Sequence, residues 1–211
     1  MQCPVCHSND TKIFTKIGSK KYWECLFCFA KFLDSCHFLS KQDEYAHYCT
    51  HQNEIYDPQY RKFLSKLSVP LKRSLTNHKV GLDYGCGPGP ALASMLEEDG
   101  YQMHKYDPFF FPNEKIFSTQ FDFITCTETV EHFYNPKSVF IIFDKILKPA
   151  GIIAIMTNFL KKDLNFENWY YRQDPTHVVF YSINTFKTIA LERDWEVQFP
   201  ATNTVLFKKL K

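Results

Sequence analysis

The segment Val80-Gly-Leu-Asp-Tyr-Gly85-Cys-Gly87-Pro-Gly89-Pro90 constrains this chain more than any other stretch. Val80 to Tyr84 reads as a short strand. Pro90 opens a helix whose Ala91, Leu92, Met95 and Leu96 share one face, and Gly100 closes it. Glycines between the two admit positive φ and let another group approach the main-chain amides with no Cβ in the way. The same alternation continues downstream. Strands are expected at Tyr101–Tyr106 and Phe121–Cys126, and Asn135-Pro136 begins a helix carrying Val139, Phe140, Phe143, Ile146 and Leu147. Pro149-Ala-Gly151 ends that helix, and Ile152 to Met156 is continuously apolar, as a strand covered on both faces requires. Ser182 caps a helix to about Arg193, and Trp195 to Phe207 supplies two more strands. Such alternation predicts an α/β fold with a mostly parallel sheet and helices on both faces.

Upstream, Cys3-Pro-Val-Cys6 and Cys25-Leu-Phe-Cys28 are separated by eighteen residues, the spacing of a zinc ribbon. Each Cys-x-x-Cys turn points two thiolates at one ion, and two turns complete a tetrahedral site of Cys3, Cys6, Cys25 and Cys28. Four thiolates leave no open position, so the zinc is expected to be structural. Thr11–Ile17 and Lys20–Glu24 alternate as two strands around Gly18-Ser19. So small a unit buries little apolar surface, and the metal supplies the missing stability. Cys36 and His37 are expected to be bystanders, and Cys49, Cys86 and Cys126 ordinary reduced thiols. The chain therefore divides into a ribbon (1–38), a helical connector or lid (39–76) and a larger domain (77–211). Within the connector a helix is expected from Asp57-Pro58 to about Leu67, and Tyr48, His51 and Tyr60 serve either as a lid or as packing.

A length of 211 residues accommodates one well-cored domain plus a small appendage. The net charge of +2 argues against a strongly electrostatic nucleic-acid binder. Lys12, Lys16, Lys20, Lys21 and Lys31 nevertheless bias the ribbon towards RNA or protein contact, although lysines on a hairpin are commonly just solvated. No apolar run approaches the ~20 residues that span a bilayer. The first residues lack an apolar signal core, so a cytoplasmic location without membrane attachment is expected.

What the glycine turn holds follows from the charges around it. A dinucleotide fingerprint needs a third small residue where this chain has Pro90. Asp83, ahead of the glycines, suits an ammonium group, and the helix N-terminus suits a carboxylate. Asp107, at the end of the second strand, can accept two ribose hydroxyls. An amino acid joined to a nucleoside meets all three demands, and the ligand read from them is S-adenosylmethionine (SAM). At this point "LDYGCGPG", "YDP", "FDFITCTETVEHF" and "LKPAGIIAIMTNF" resemble the motifs of class I SAM-dependent methyltransferases, of the branch that includes the ubiquinone-biosynthesis methylases. The resemblance covers roughly residues 77 to 211. It implies a Rossmann-like sheet, with Gly85, Gly87 and Gly89 along the methionine and ribose, Asp83 at the cofactor's polar end and Asp107 on the ribose. Glu128 joins these as a cofactor contact. One departure is expected: between Asp107 and Phe121 there is no room for a third strand and its helix, so that edge is shortened. Phe109 or Phe110 then either walls the adenine or packs in the core.

Methyl transfer from a sulfonium needs an in-line nucleophile and exclusion of water, with a base only where the acceptor carries a proton. Glu128, Glu131 and His132 follow the strand ending at Cys126, where open α/β sheets build their sites. The two glutamates are alternatively solvated acids at a helix start, and His132 is either structural or a substrate contact. "NWYYRQDPTHVVFYS" leaves the buried fifth strand and, like a recurring insert of small methyltransferases, is expected to wall the acceptor pocket. Within it His177 carries an imidazole, a side chain suited to act as a general base. The catalytic candidates are therefore His177, Glu131 and His132. The acceptor is a small metabolite or an RNA or protein residue. The alternative is a non-catalytic RNA- or protein-binding adaptor that retains the fold.

Overall fold

The computed structural model describes residues 1–50, 54–76 and 79–211. His51 therefore lies outside the described residues. Strands β1 (Thr11–Ile17) and β2 (Lys20–Cys25) form an antiparallel hairpin, with Gly18 at φ 56° in its turn. Strand β3 (Lys31–Leu33) pairs with β2. Helix α1 (Lys41–Tyr48) follows, capped by Ser40, whose hydroxyl accepts the Asp43 amide at 3.2 Å. Helix α2 (Pro58–Ser74) is capped by Asp57 and runs seven residues beyond the expected end at Leu67, straight through Pro70. Pro70 has no N–H for the Lys66 carbonyl. The Thr204 hydroxyl donates to that carbonyl instead, at 3.5 Å, and the helix continues.

The main sheet is built from β4 (Val80–Tyr84), α3 (Ala91–Glu98), β5 (Gln102–Tyr106), β6 (Phe121–Thr127), α4 (Pro136–Ile146) and β7 (Leu147–Met156). After these come α5 (Tyr170–Gln173), β8 (Val179–Phe180), α6 (Ile183–Leu191), β9 (Trp195–Ala201) and β10 (Thr204–Lys209). The strand order is β5-β4-β6-β7-β10-β9. The first four are parallel, and β10 runs antiparallel to both neighbours. β7 begins at Leu147 and passes through Pro149, earlier than expected. Its register against β6 shifts between Phe121↔Leu147 and Phe123↔Ile152, and a proline without a donor is tolerated in such a bulge. The edge beyond β5 is shortened as expected. An Asp107↔Phe111 bridge and a 3-10 turn at Glu114–Ser118 replace a third strand and helix.

The period of two along β7 divides the core. Ile152, Ala154 and Met156 face α2 and α3, whereas Ile153 and Ile155 face a larger cluster with α4 and α6. That larger cluster also contains Cys3, Val5, Tyr22 and Cys25 of the ribbon. The ribbon sheet has the order β1-β2-β3-β8, so its last strand comes from beyond β7, the last of the main domain's four parallel strands. Leu33 N–H donates to Val178 O at 2.8 Å and Lys137 N–H to Pro4 O at 3.1 Å, stitching ribbon to sheet. Among the described residues no helix is long and apolar enough to cross a membrane.

Candidate active site

The turn from β4 to α3 holds Gly85 at φ 74° and Gly87 at φ 62°. A Cβ on Gly85 would lie 2.1 Å from the Thr129 side chain, so this position is closed to any other residue. A Cβ on Gly87 would meet nothing within 4 Å. The Gly85 and Cys86 amides donate to Tyr106 O at 2.8 and 3.2 Å, binding the turn to the end of β5. Asp107 completes the arrangement: one carboxylate oxygen accepts Gly87 N–H at 3.1 Å, and the other accepts Phe109 and Phe110 N–H at 2.9 and 3.1 Å. In front of these groups opens a cavity of about 530 Å³. Gly85, Gly87, Asp107, Glu128, His132 and His177 all line it. Phe109 and Phe110 form an apolar part of its wall, with Tyr45 of α1 5.6 and 5.9 Å from their ring centres. Tyr48 and Tyr60 line it too, so α1 and the start of α2 lie along the cavity.

Two expected cofactor contacts are placed elsewhere. Gly89 is buried and does not line the cavity. Asp83 sits beneath the turn, almost fully buried, and accepts the Thr125 hydroxyl at 2.7 Å. Burial raises its carboxyl to about 6, against the hydrogen bonds that favour the ionised form. Asp83 thus braces the turn from below.

Glu128 follows β6 with φ 47°, a strained conformation for a residue with a side chain, and its N–H donates to Met156 O at 2.7 Å. Its Oε1 is buried without a hydrogen-bond partner. Burial, and then the neighbouring Glu131, push its carboxyl up to about 9. Glu131 is itself fully buried and its carboxyl is raised by burial, so neither glutamate is a solvated helix-start acid. The Tyr171 hydroxyl donates to Glu131 Oε1, and the Thr157 hydroxyl donates to Oε2 at 3.1 Å. His132 and His177 stack edge to face with centroids 4.6 Å apart, beside Glu131.

Tyr171 and Thr157 are the residues whose roles the sequence did not disclose. Thr157 does carry a signal, because a polar side chain directly after a fully apolar strand stands at its C-terminal end. His47 of α1 reaches Asp174 at 3.3 Å, joining the helix before the main sheet to the segment that carries His177.

In the ribbon, the Sγ atoms of Cys3 and Cys28 lie 3.6 Å apart, as do those of Cys6 and Cys25, and all four thiols lie within reach of one ion. Cys36 and His37 stand outside this cluster. The basic bias of the hairpin is partly neutralised. Lys12 pairs with Glu24 at 3.4 Å, Lys21 with Asp34 at 3.6 Å, and Lys31 lies over the Phe14 ring.

Residues 50–198 match the family described as "Methyltransferase domain". The chain belongs to the methyltransferase domain family. Solved structures agree on its architecture. The PH0226 protein of Pyrococcus horikoshii OT3 superposes with a TM-score of 0.53 at 16% identity, over 79% of this chain and 99% of that one. A SAM-dependent methyltransferase of Methanosarcina mazei gives 0.52 at 15% identity, over 67% and 97%. At such identities the likeness is one of fold. No curated protein matches the sequence. The methyltransferase sheet thus carries the glycine turn and the Glu131 cluster at the C-terminal ends of β4, β6 and β7.

Proposed function

We propose that this methyltransferase uses SAM, held by Gly85, Gly87 and Asp107, and passes the methyl group to an acceptor seated against His132 and His177. One observation carries the reading: the positive-φ glycines, the ribose-type carboxylate and the histidine cluster all open on one cavity. The cavity suits the cofactor. Gly87 leaves open space where any side chain would stand, and Glu128 Oε1 is a buried acceptor awaiting a donor. SAM, when bound, supplies a methyl group already activated on a positive sulfonium. The chain's own work is to orient it, exclude water and handle the acceptor.

The ribbon thiols suit zinc. Sulfurs ~2.3 Å from a tetrahedral ion stand ~3.8 Å apart along each edge, close to the separations present in the ribbon. We therefore assign one structural zinc to Cys3, Cys6, Cys25 and Cys28.

Calorimetric titration with SAM and with its demethylated product tests the cofactor reading. One equivalent is expected to bind, and no binding of either would leave only the adaptor alternative. Asp107→Ala should weaken binding by ~1–3 kcal/mol through loss of charge-assisted hydrogen bonds, and unchanged affinity would count against the site. Gly87→Val should do at least as much harm, since its branched side chain fills the cavity from a backbone that disfavours it.

A further result should appear in the protons. With its carboxyl raised to about 9, Glu128 should hold its proton near pH 7.5 before SAM binds. A cationic ligand lowers that value, so SAM binding should release a proton into the buffer. Titrations in buffers of different ionisation enthalpy would measure the release, and Glu128→Gln should abolish it.

A further inference from the structure

A second cavity, of about 590 Å³, opens beside the first along the same end of the sheet. Asn158 and Phe159, which follow β7, line it together with Thr202 and Asn203 of the β9–β10 turn. Tyr170 lines both cavities, and the Asn158 side-chain amide donates to its hydroxyl at 3.3 Å. Both cavities have the size that holds a small molecule, and open α/β sheets collect their ligands at this end of the strands.

The two cavities differ in the sign of their charge. Among the described residues, Glu44, Asp107, Glu128 and Asp174 line the first with no lysine or arginine, as suits a cationic sulfonium. Lys66 and Lys161 line the second with no carboxylate. Neither of these lysines forms an ion pair among the described residues, whereas Lys72, Lys79, Lys105 and Lys137 each meet a carboxylate within 3.2 Å. Lys66 also stands close enough to the first cavity for its charge to oppose the rise of the Glu128 carboxyl.

Two neutral donors complete the set. Asn203 and Trp169 line the second cavity, and each is only 9% exposed. Yet the Asn203 side-chain amide and the Trp169 indole N–H make no hydrogen bond among the described residues. Buried polar groups ordinarily find partners, so these two are left for a ligand. Two ammonium groups with two further N–H donors call for an anion of two charges and several acceptor oxygens. A phosphate monoester carries about −1.5 to −2 near pH 7 on three such oxygens. A carboxylate has a single charge and would leave the second lysine uncompensated.

We infer that the second cavity binds a phosphate group carried by the methyl acceptor itself, so that the acceptor is a small phosphate monoester. This rests on the methyl-transfer reading. The phosphate sits with Lys66, Lys161, Asn203 and Trp169. The body of the molecule passes Tyr170, and the atom to be methylated reaches His132 and His177 in the first cavity. An anchor remote from the reacting atom orients it, which is the work methyl transfer demands of the protein.

Calorimetric titration of the full chain, ribbon zinc in place, with inorganic phosphate and with phenyl phosphate tests the site. One equivalent of each is expected, phenyl phosphate the tighter, and neither displaced by SAM. Lys66→Gln and Lys161→Gln should each weaken phenyl phosphate ~10-fold or more, and thermal melting checks that both variants fold. Lys16→Gln, on the ribbon hairpin, should leave the binding as it is. No binding, binding unaltered in the two folded variants, or displacement by SAM overturns the proposal. Inorganic phosphate bound as tightly as phenyl phosphate also overturns it, since the site would then serve free phosphate. So does tighter, Lys66- and Lys161-dependent binding of an RNA oligonucleotide without terminal phosphates. Titration with SAM on the same samples keeps the two readings apart. Phenyl phosphate held through both lysines in a chain that binds no SAM supports the phosphate site and ends the methyl-transfer reading, and SAM binding without either phosphate does the reverse.

Discussion

His177→Ala should lower turnover by ~100-fold or more while SAM affinity, read by calorimetry, barely changes. The separation of effects follows from placement. His177 lines the same cavity as the glycine turn, but its Nδ1 is anchored to Tyr171 rather than to any element that carries Gly85, Gly87 or Asp107. Removing the ring should delete one of the groups proposed to meet the acceptor and leave the glycine turn and Asp107 in place. A ring serving only to fill space would give another pattern, with melting temperature and SAM affinity falling together. That outcome would remove His177 from the chemistry. His132→Ala should resemble His177→Ala, since both rings present Nε2 to the same carboxylate.

Cys25→Ser should cost the chain its ribbon zinc, measured as one metal equivalent by elemental analysis, and turnover should fall with it. The second half of this expectation comes from the pairing of β3 with β8. Lys31 and Phe32 pair with Phe180 and Val179, and the Leu33 amide holds Val178 O, the residue next to His177. Val178 N–H in turn donates to Glu131 O at 2.9 Å. A loosened ribbon therefore loosens both His177 and Glu131, and a misplacement of ~1 Å at a reacting centre can cost ~100-fold. SAM affinity should change far less, because β4, α3 and Asp107 touch the ribbon nowhere in this chain of contacts. Full zinc content in the variant would refute the ligand assignment. Normal turnover despite lost zinc would refute the coupling.

Much of this was legible in the sequence because short-range rules govern it. Val80–Tyr84 was bounded by its glycines, Ser182 and Asn135 announced their helices, and the doubled Cys-x-x-Cys spacing marked the four thiols before any coordinate. Helix α1 was not legible: no side chain on it is buried, so it has no apolar face for periodicity to reveal. The expected end of α2 rested on the helical spacing that stops at Leu67, whereas the continuation through Pro70 is supported by Thr204, which stands on β10 far along the chain. The same limit applies to the site. Glu131 and His177 were named from their positions after strands. The network of Thr157, Tyr171 and Glu131 joins three separate segments, and no local pattern encodes such a meeting.

The four-stranded ribbon sheet also sets an order of events during synthesis. β1, β2 and β3 leave the ribosome before the parallel strands, whereas β8 emerges only after all four of them. Until then the outer edge of β3 exposes backbone donors and acceptors to any passing strand. Such long-range closure is slow, since loop entropy is lost before the contacts form. Early capture of metal by the two cysteine turns would hold the hairpin in shape through that interval. The nascent chain would then meet Val179 and Phe180 with the edge of β3 already templated, and their pairing would carry His177 towards the cavity while α6, β9 and β10 were still to come.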